Sequence, residues 1–309
     1  MEKELRLANG SLYYELEKTE IVITGYHGID AHLTIPEKID GYPVTAIGKK
    51  AFLGQKNLMG IELPGTIAYL EDWAFAHCYL LREVALYPVE CGLGRGVFAE
   101  CGRLEKARFL TPPEPVRRCG AEEAEKLLKS ISGLLMSTLT VLDAPYLFDP
   151  VEAGSREWLT KYDSRMEMLL SQDDLEGYAK TISCGEEDYG NTSQEQFVQE
   201  KHKSKVRLIL VRLLHDYGMS DKMRSFCVDY LKKYMPPGLH TESWQVVRED
   251  YAESQECFRL LCDLGCVTED NIDILIADLG QEHPERKGFL MKYKQEKFAV
   301  TDFFADFSL

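Results

Sequence analysis

The stretch Leu58-Met59-Gly60-Ile61-Glu62-Leu63-Pro64-Gly65-Thr66-Ile67-Ala68-Tyr69-Leu70-Glu71-Asp72-Trp73-Ala74-Phe75-Ala76-His77-Cys78 decides how the first part of this chain folds, because its neighbours restate it every 23 residues. Ala74-Phe75 is preceded by Ala51-Phe52 and followed by Val97-Phe98, and Leu58, Leu81 and Leu104 each come six residues after a Phe. Ile47, Leu70 and Leu93 keep the same interval, as do Ile61, Val84 and Ala107. An apolar residue thus returns to each of four slots. Fixed self-similarity of this length marks a solenoid, in which stacked units bury apolar faces that none could bury alone.

Within one unit the pattern predicts a short strand over Leu58 to Leu63, a second extended piece over Ile67 to Leu70, and a helical turn around Ala74 to His77. Pro64, and Pro36 before it, end their strands because proline has no ladder donor. Leu33-Thr34-Ile35-Pro36 stands 28 residues ahead of Ile61-Glu62-Leu63-Pro64, and the five extra residues fit the polar turn Asp40-Gly41-Tyr42-Pro43. Further upstream, Leu12 to Leu16, Ile21 to Thr24 and Leu33 to Ile35 read as strands, rich in β-branched and aromatic residues. They are expected to form a β cap over the open first repeat. The third unit departs from the pattern, with Tyr87 in the proline slot, Glu90 in a Val/Ile slot and a loosened turn over Gly92-Leu93-Gly94-Arg95-Gly96. The register ends after Val116, where Ala121 fills the Phe slot.

These residues resemble the BspA-like, or Treponema-type, leucine-rich repeat family, whose unit runs approximately L-x-x-I-x-[IL]-P-x-x-[VI]-x-x-I-G-x-x-A-F-x-x-C. Leu58, Ile61, Leu63, Pro64, Ile67, Leu70, Ala74, Phe75 and Cys78 carry the match in one unit, and Val44, Ile47, Gly48, Ala51 and Phe52 in the unit before it. The resemblance implies a short parallel-stranded solenoid that binds protein. Repeats of this kind also resemble adhesins, which makes a surface or host-contact protein the alternative.

Composition narrows the function classes. The chain has 309 residues, 45% of them hydrophobic and 28% charged, an ordinary globular profile. The charge is uneven: Met1 to Cys119 holds 14 basic and 16 acidic side chains, net −2, and the remainder 22 and 35, net −13. An acidic field disfavours phosphate backbones and anionic surfaces, so neither nucleic acid nor membrane is an expected partner. There is no apolar run long enough to span a bilayer, and Met1-Glu2-Lys3-Glu4-Leu5 has no apolar signal core. The expectation is a cytoplasmic protein. Its nine cysteines are accordingly expected to be reduced, with Cys78 and Cys101 serving as small buried hydrophobes in one slot of successive repeats.

Thr111-Pro112-Pro113-Glu114-Pro115 marks a boundary, since three prolines in five residues serve neither helix nor ladder. The expected division is a repeat domain over residues 1–118, with repeats over about 33–116, and an acidic α-helical domain over 119–309. The overall class is α+β: a short leucine-rich-repeat solenoid followed by an all-α domain. Ala121 to Ser130 is helical in pattern, and Leu134 to Leu142 fits either a strand or a buried helix. Helices are then expected over roughly 155–170, 173–184, 194–216, 220–234, 241–251, 254–264, 269–279 and 284–297. Ser155, Ser171 and Thr268 offer starts, and Gly218, Gly265 and Gly280 offer left-handed stops. Val211 to Gly218, Cys257 to Gly265 and His283 to Met291 resemble the second helix of an ankyrin unit. That resemblance implies ankyrin-like helix pairs over about 205–298.

Catalytic, cofactor and metal constellations are not found by motif. His77-Cys78 and the pair Cys262 and Cys266 lack the paired ligand spacings of a zinc site, so packing cysteines are expected. The Gly92 to Gly96 turn lacks the Lys-Ser/Thr of a phosphate loop. Glu186-Glu187-Asp188-Tyr189-Gly190-Asn191 lacks the alternation of an EF-hand and reads as a solvated loop. The informative surface is the outward side of the strands. By alternation Gly60, Glu62, Glu83, Ala85, Lys106 and Arg108 form one strip, a plain solvated face or a docking surface. Phe303, Phe304 and Phe307 make an aromatic tail, either packed on the last helices or offered to a partner's groove. The expected function is a non-enzymatic scaffold for an unidentified protein partner. An enzyme with its site near Thr111 to Pro115 is the second alternative.

Overall fold

The computed structural model describes residues 2–178 and 193–298, and the chain divides into two compact units, Met1–Met166 and Glu167–Leu309. The first unit opens with an antiparallel meander of β1 (Lys3–Arg6), β2 (Gly10–Glu17) and β3 (Glu20–Gly28). Leu12 and Tyr14 of β2, and Ile21 and Ile23 of β3, bury alternate positions, as period-2 patterning requires, and a bulge at Thr24 moves the next buried residue of β3 to Tyr26. Strand β1 escapes sequence reasoning because Lys-Glu-Leu-Arg has a single apolar residue; its pairing with Ser11 to Tyr14 holds it.

From β3 the chain winds into a solenoid with two sheets. One continues the meander in the order β1-β2-β3-β6-β8-β10, through β6 (Tyr42–Ile47), β8 (Tyr69–Leu70) and β10 (Gly92–Leu93), with β5 (Lys38–Ile39) paired to β6. The other is parallel throughout, in the order β11-β9-β7-β4: β4 (His32–Thr34), β7 (Gly60–Glu62), β9 (Glu83–Leu86) and β11 (Lys106–Phe109). Register is set residue for residue by the 23-residue repeat, for example Ile61 to Val84 to Ala107.

The turn side of each coil repeats as strictly. Rings of Tyr26, Phe52, Phe75 and Phe98 stack with centroids 5.7, 5.0 and 5.4 Å apart. Each such pair adds about 0.5–1.5 kcal/mol beyond burial. Beside them runs a column of donors to the preceding coil: Gln55 Nε2 to the Tyr26 carbonyl at 2.9 Å, and the thiols of Cys78 and Cys101 to the carbonyls of Phe52 and Phe75, both at 3.1 Å. Cys78 and Cys101 are buried as expected, and in addition serve as polar donors. The expected helical turn at Ala74 to His77 is a chain of i to i−3 turns instead. Left-handed residues interrupt it at two slots, Lys50, Trp73 and Gly96 in one and Gly54, His77 and Glu100 in the other, with φ between 56° and 68°.

The last solenoid strand ends at Phe109, and the first compact unit continues to Met166. Beyond α1 (Glu114–Arg117), helix α2 (Ala121–Thr140) packs on β11. It buries Leu127, Ile131, Leu134 and Leu135, and Ser132 donates its hydroxyl to the Ala107 carbonyl. The apolar run from Leu134 is therefore helical. It takes the place that the next coil would fill, since the last repeat has an apolar end to cover. A 3-10 turn at Pro145–Leu147 and α3 (Arg156–Ser171) follow.

The second unit contains α4 (Gln194–Leu214), α5 (Asp221–Lys233), α6 (Glu242–Asp250), α7 (Gln255–Asp263), α8 (Ile272–Asp278) and α9 (Pro284–Phe298). These match six of the expected helices to within three residues at each end, while most of the expected helix over 173–184 lies outside the described residues. Ser155 caps α3, accepting from the Trp158 amide at 3.1 Å, while Ser193, Ser220 and Ser254 cap α4, α5 and α7. Ser171 ends α3 rather than opening a helix, its hydroxyl turned back to the Met168 carbonyl. Helix α8 starts at Ile272, three residues past the expected start, because buried Asn271 ties the Thr268 amide and the Cys266 carbonyl into a turn. Gly218, Gly265 and Gly280 all take the left-handed conformation. Among the described residues no helix is long and apolar enough to cross a membrane.

Candidate functional site

The parallel sheet places the six strip residues in two rows across its strands. His32, Gly60, Glu83 and Lys106 share one row, and Thr34, Glu62, Ala85 and Arg108 the other. All six are on one face, yet they are unequal. Gly60 and Ala85 are buried, Glu62 and Glu83 half-buried, and Lys106 and Arg108 exposed. A Cβ on Gly60 would stand 2.7 Å from the His32 ring, so the imidazole lies over that glycine.

The four charges form one network. Arg108 Nε donates to Glu83 at 2.6 Å and its terminal nitrogen to Glu62, two strands away, at 3.2 Å. Ala85 sits between Arg108 and Glu62 in the register, beneath that bridge. Lys106 lies 3.3 Å from Glu83. Partial burial raises the Glu83 carboxyl, but hydrogen bonds from Arg108 and Lys106 outweigh it and hold the group below its ordinary value. The strip is a charge pattern with fixed positions and no net charge.

A second surface feature lies at the turn side, and motif reasoning missed it. Lys49 Nζ, Lys50 Nζ and the Arg95 guanidinium carbon stand 5.4, 5.5 and 5.6 Å from the Trp73 ring centroid. A Cβ on Gly96 would come 2.8 Å from the indole, so the ring lies where only glycine leaves space. Asp72 accepts from the Arg95 amide at 2.8 Å and its guanidinium at 3.1 Å, and these hold its carboxyl below the usual range. The signal was present in the register. Lys50, Trp73 and Gly96 share one slot, and Lys49, Asp72 and Arg95 the slot before it.

The other sequence candidates separate. His77 is exposed and meets Tyr79 at 3.0 Å, while the Cys78 thiol points into the core at the Phe52 carbonyl. The amides of Gly92 and Gly94 are spent on the carbonyls of Ala68 and Leu70, leaving no phosphate cradle there. Burial pushes the thiols of Cys257 and Cys262 up to about 12 and that of Cys266 to about 11, so all three stay protonated near neutrality. The acidic loop Glu186 to Asn191, and Phe303, Phe304 and Phe307, lie outside the described residues. A cavity of about 20 Å³, room for about one water, is lined by apolar side chains that include Leu63, Leu70, Leu86 and Phe148. Its one thiol, Cys91, is raised by burial to about 11.

Fold and surface together define a short leucine-rich-repeat solenoid followed by a helical region. No family model matches the chain, and no curated protein matches it. Over about a third of its length it is similar to solved leucine-rich repeat structures. One is a leucine rich cell surface protein from Faecalibacterium prausnitzii A2-165, at 25% identity over 34% of this chain and 30% of that one, with a TM-score of 0.31. Another is the leucine-rich repeat protein of T. pallidum, at 27% identity over 35% of this chain and 50% of that one, TM-score 0.27. A third, from Bacteroides capillosus ATCC 29799, is 24% identical over 33% and 78%, TM-score 0.30. The match spans half or less of the first two proteins.

Proposed function

We propose that this chain is a non-enzymatic protein-interaction scaffold whose solenoid docks a protein partner on the parallel-sheet strip. The observation that carries this is the cross-strand network of Glu62, Glu83, Lys106 and Arg108, which fixes four charges on one face before any partner arrives. Pre-positioned charge selects partners and orientation more than it supplies affinity. We further infer that the helices of residues 205–298 form ankyrin-like pairs, since helix starts recur at a 30-residue interval from Glu242 to Ile272 and a 29-residue interval from Gln255 to Pro284.

Affinity capture from a native extract of the source cells tests the docking reading, with the full chain compared against a Glu62→Lys, Glu83→Lys double variant. At least one protein should be retained by the parent and lost by the variant. Identical protein sets on both would remove the strip from the function.

A further inference from the structure

The helical unit holds a cluster that the docking function does not use. His202, in the middle of α4, is 6% exposed, and Glu242, the first residue of α6, is 2% exposed. His202 Nδ1 lies 3.3 Å from Glu242 Oε1, and His240 Nδ1 lies 3.4 Å from the same oxygen. One donor atom from each of the three residues falls within 4.8 Å of the other two.

Proton bookkeeping makes this arrangement unusual. Asp174 is paired with the Lys205 ammonium at 2.7 Å, so its carboxylate is an acceptor only. Its other oxygen lies 2.9 Å from His202 Nε2, which must therefore carry the hydrogen. In a neutral imidazole that leaves the Nδ1 lone pair aimed at the Glu242 carboxylate, and two electron-rich atoms face each other unless a cation lies between them. A second His nitrogen approaches the same oxygen. In addition, Glu242 Oε2 is buried with no hydrogen-bond partner among the described residues.

The spacings suit a cation held between these atoms. Spacings of 3.3 and 3.4 Å are longer than the usual ~2.7–3.2 Å N–H···O range. They match the ~3.3–3.4 Å edge of a tetrahedron with metal–ligand bonds of about 2.0–2.1 Å. We propose that His202, His240 and Glu242 bind a divalent transition-metal ion of the zinc type, with Asp174 as the carboxylate that orients His202. Two imidazoles and one carboxylate are the borderline nitrogen and oxygen donors that such ions take, and a carboxylate behind a ligating histidine is the usual support. The His240 side chain is 64% exposed, which leaves the ion reachable from solvent. The site stands independently of the docking reading and ties α4 to the start of α6.

Motif reasoning found no metal site because His202 is 38 residues from the His240-Thr241-Glu242 element. Titration of the chelator-stripped, reduced full chain with Co(II) tests the proposal. One equivalent should bind, giving the visible bands of a four-coordinate ion without a thiolate charge-transfer band. Asp174→Asn should weaken binding by ~10- to 100-fold, and His240→Ala and Glu242→Gln by more. Exposed His240 can be removed without opening the core, and circular dichroism would verify that each variant stays folded. The proposal is overturned if the parent binds no cobalt, if binding survives unchanged in His240→Ala and Glu242→Gln, or if a thiolate band shows that cysteines are the ligands.

Discussion

The two units satisfy their buried polar groups in opposite ways. In the repeat unit the core column recurs from coil to coil: a ring on a ring, a thiol or amide on the previous carbonyl, a left-handed residue above another. In the helical unit the polar groups meet once, as when His202, on α4, joins Asp174, which follows α3, and Glu242, which opens α6. Recurrence spreads a structural requirement over many positions, so each position can vary. Convergence concentrates it on a few side chains with no spare copy.

This contrast can be broken by removing one rung. Phe75→Ala should cost roughly 3–5 kcal/mol in urea unfolding, because the ring has neighbours on both sides and no exposure. Phe98→Ala, at a half-buried ring, should cost less. Equal costs would mean that the column does not act as a stack. A smaller effect of opposite sign is expected at the turns. His77 has φ 59° and an exposed side chain, so His77→Gly should raise stability by up to about 1 kcal/mol, read as an upward shift of Tm. A loss would show that the Tyr79 contact outweighs the backbone cost. The smallest effect belongs to the strip, where Arg108→Ala should cost about 0.5–1 kcal/mol and less at high salt. Glu83 titrates below its ordinary 4.5 in the folded chain, so its contribution is present above pH 4.5 and lost as pH falls through and below that value. Arg108→Ala should therefore flatten the stability profile on the acid side. An unchanged acid limb would remove the ion pairs from the account.

The same contrast explains what was legible. The solenoid could be read because the 23-residue interval repeats each apolar slot, and the helices because Ser155 and the stops Gly218, Gly265 and Gly280 stand next to their apolar periods. Strand β1 has almost no apolar pattern, and the role of α2 is a tertiary fact about which face needs covering. The left-handed slots were hidden because Lys50, Trp73, His77 and Glu100 are not residues that announce positive φ. Alternation groups the strip residues by parity, but it cannot tell that Ala85 lies beneath the Arg108 to Glu62 bridge. The His202 cluster was invisible for a simpler reason: its members come from separate elements, and their spacing follows no helical or strand period.

Helix α2 has one more consequence. The last strand of a parallel sheet offers its free backbone groups to any further strand, and a short repeat array with an open edge can template its own polymerisation. Ser132 occupies the Ala107 carbonyl of β11, and the apolar face of α2 covers the end beside it. The helix thereby stands where a further strand would have to pair with β11 on this sheet.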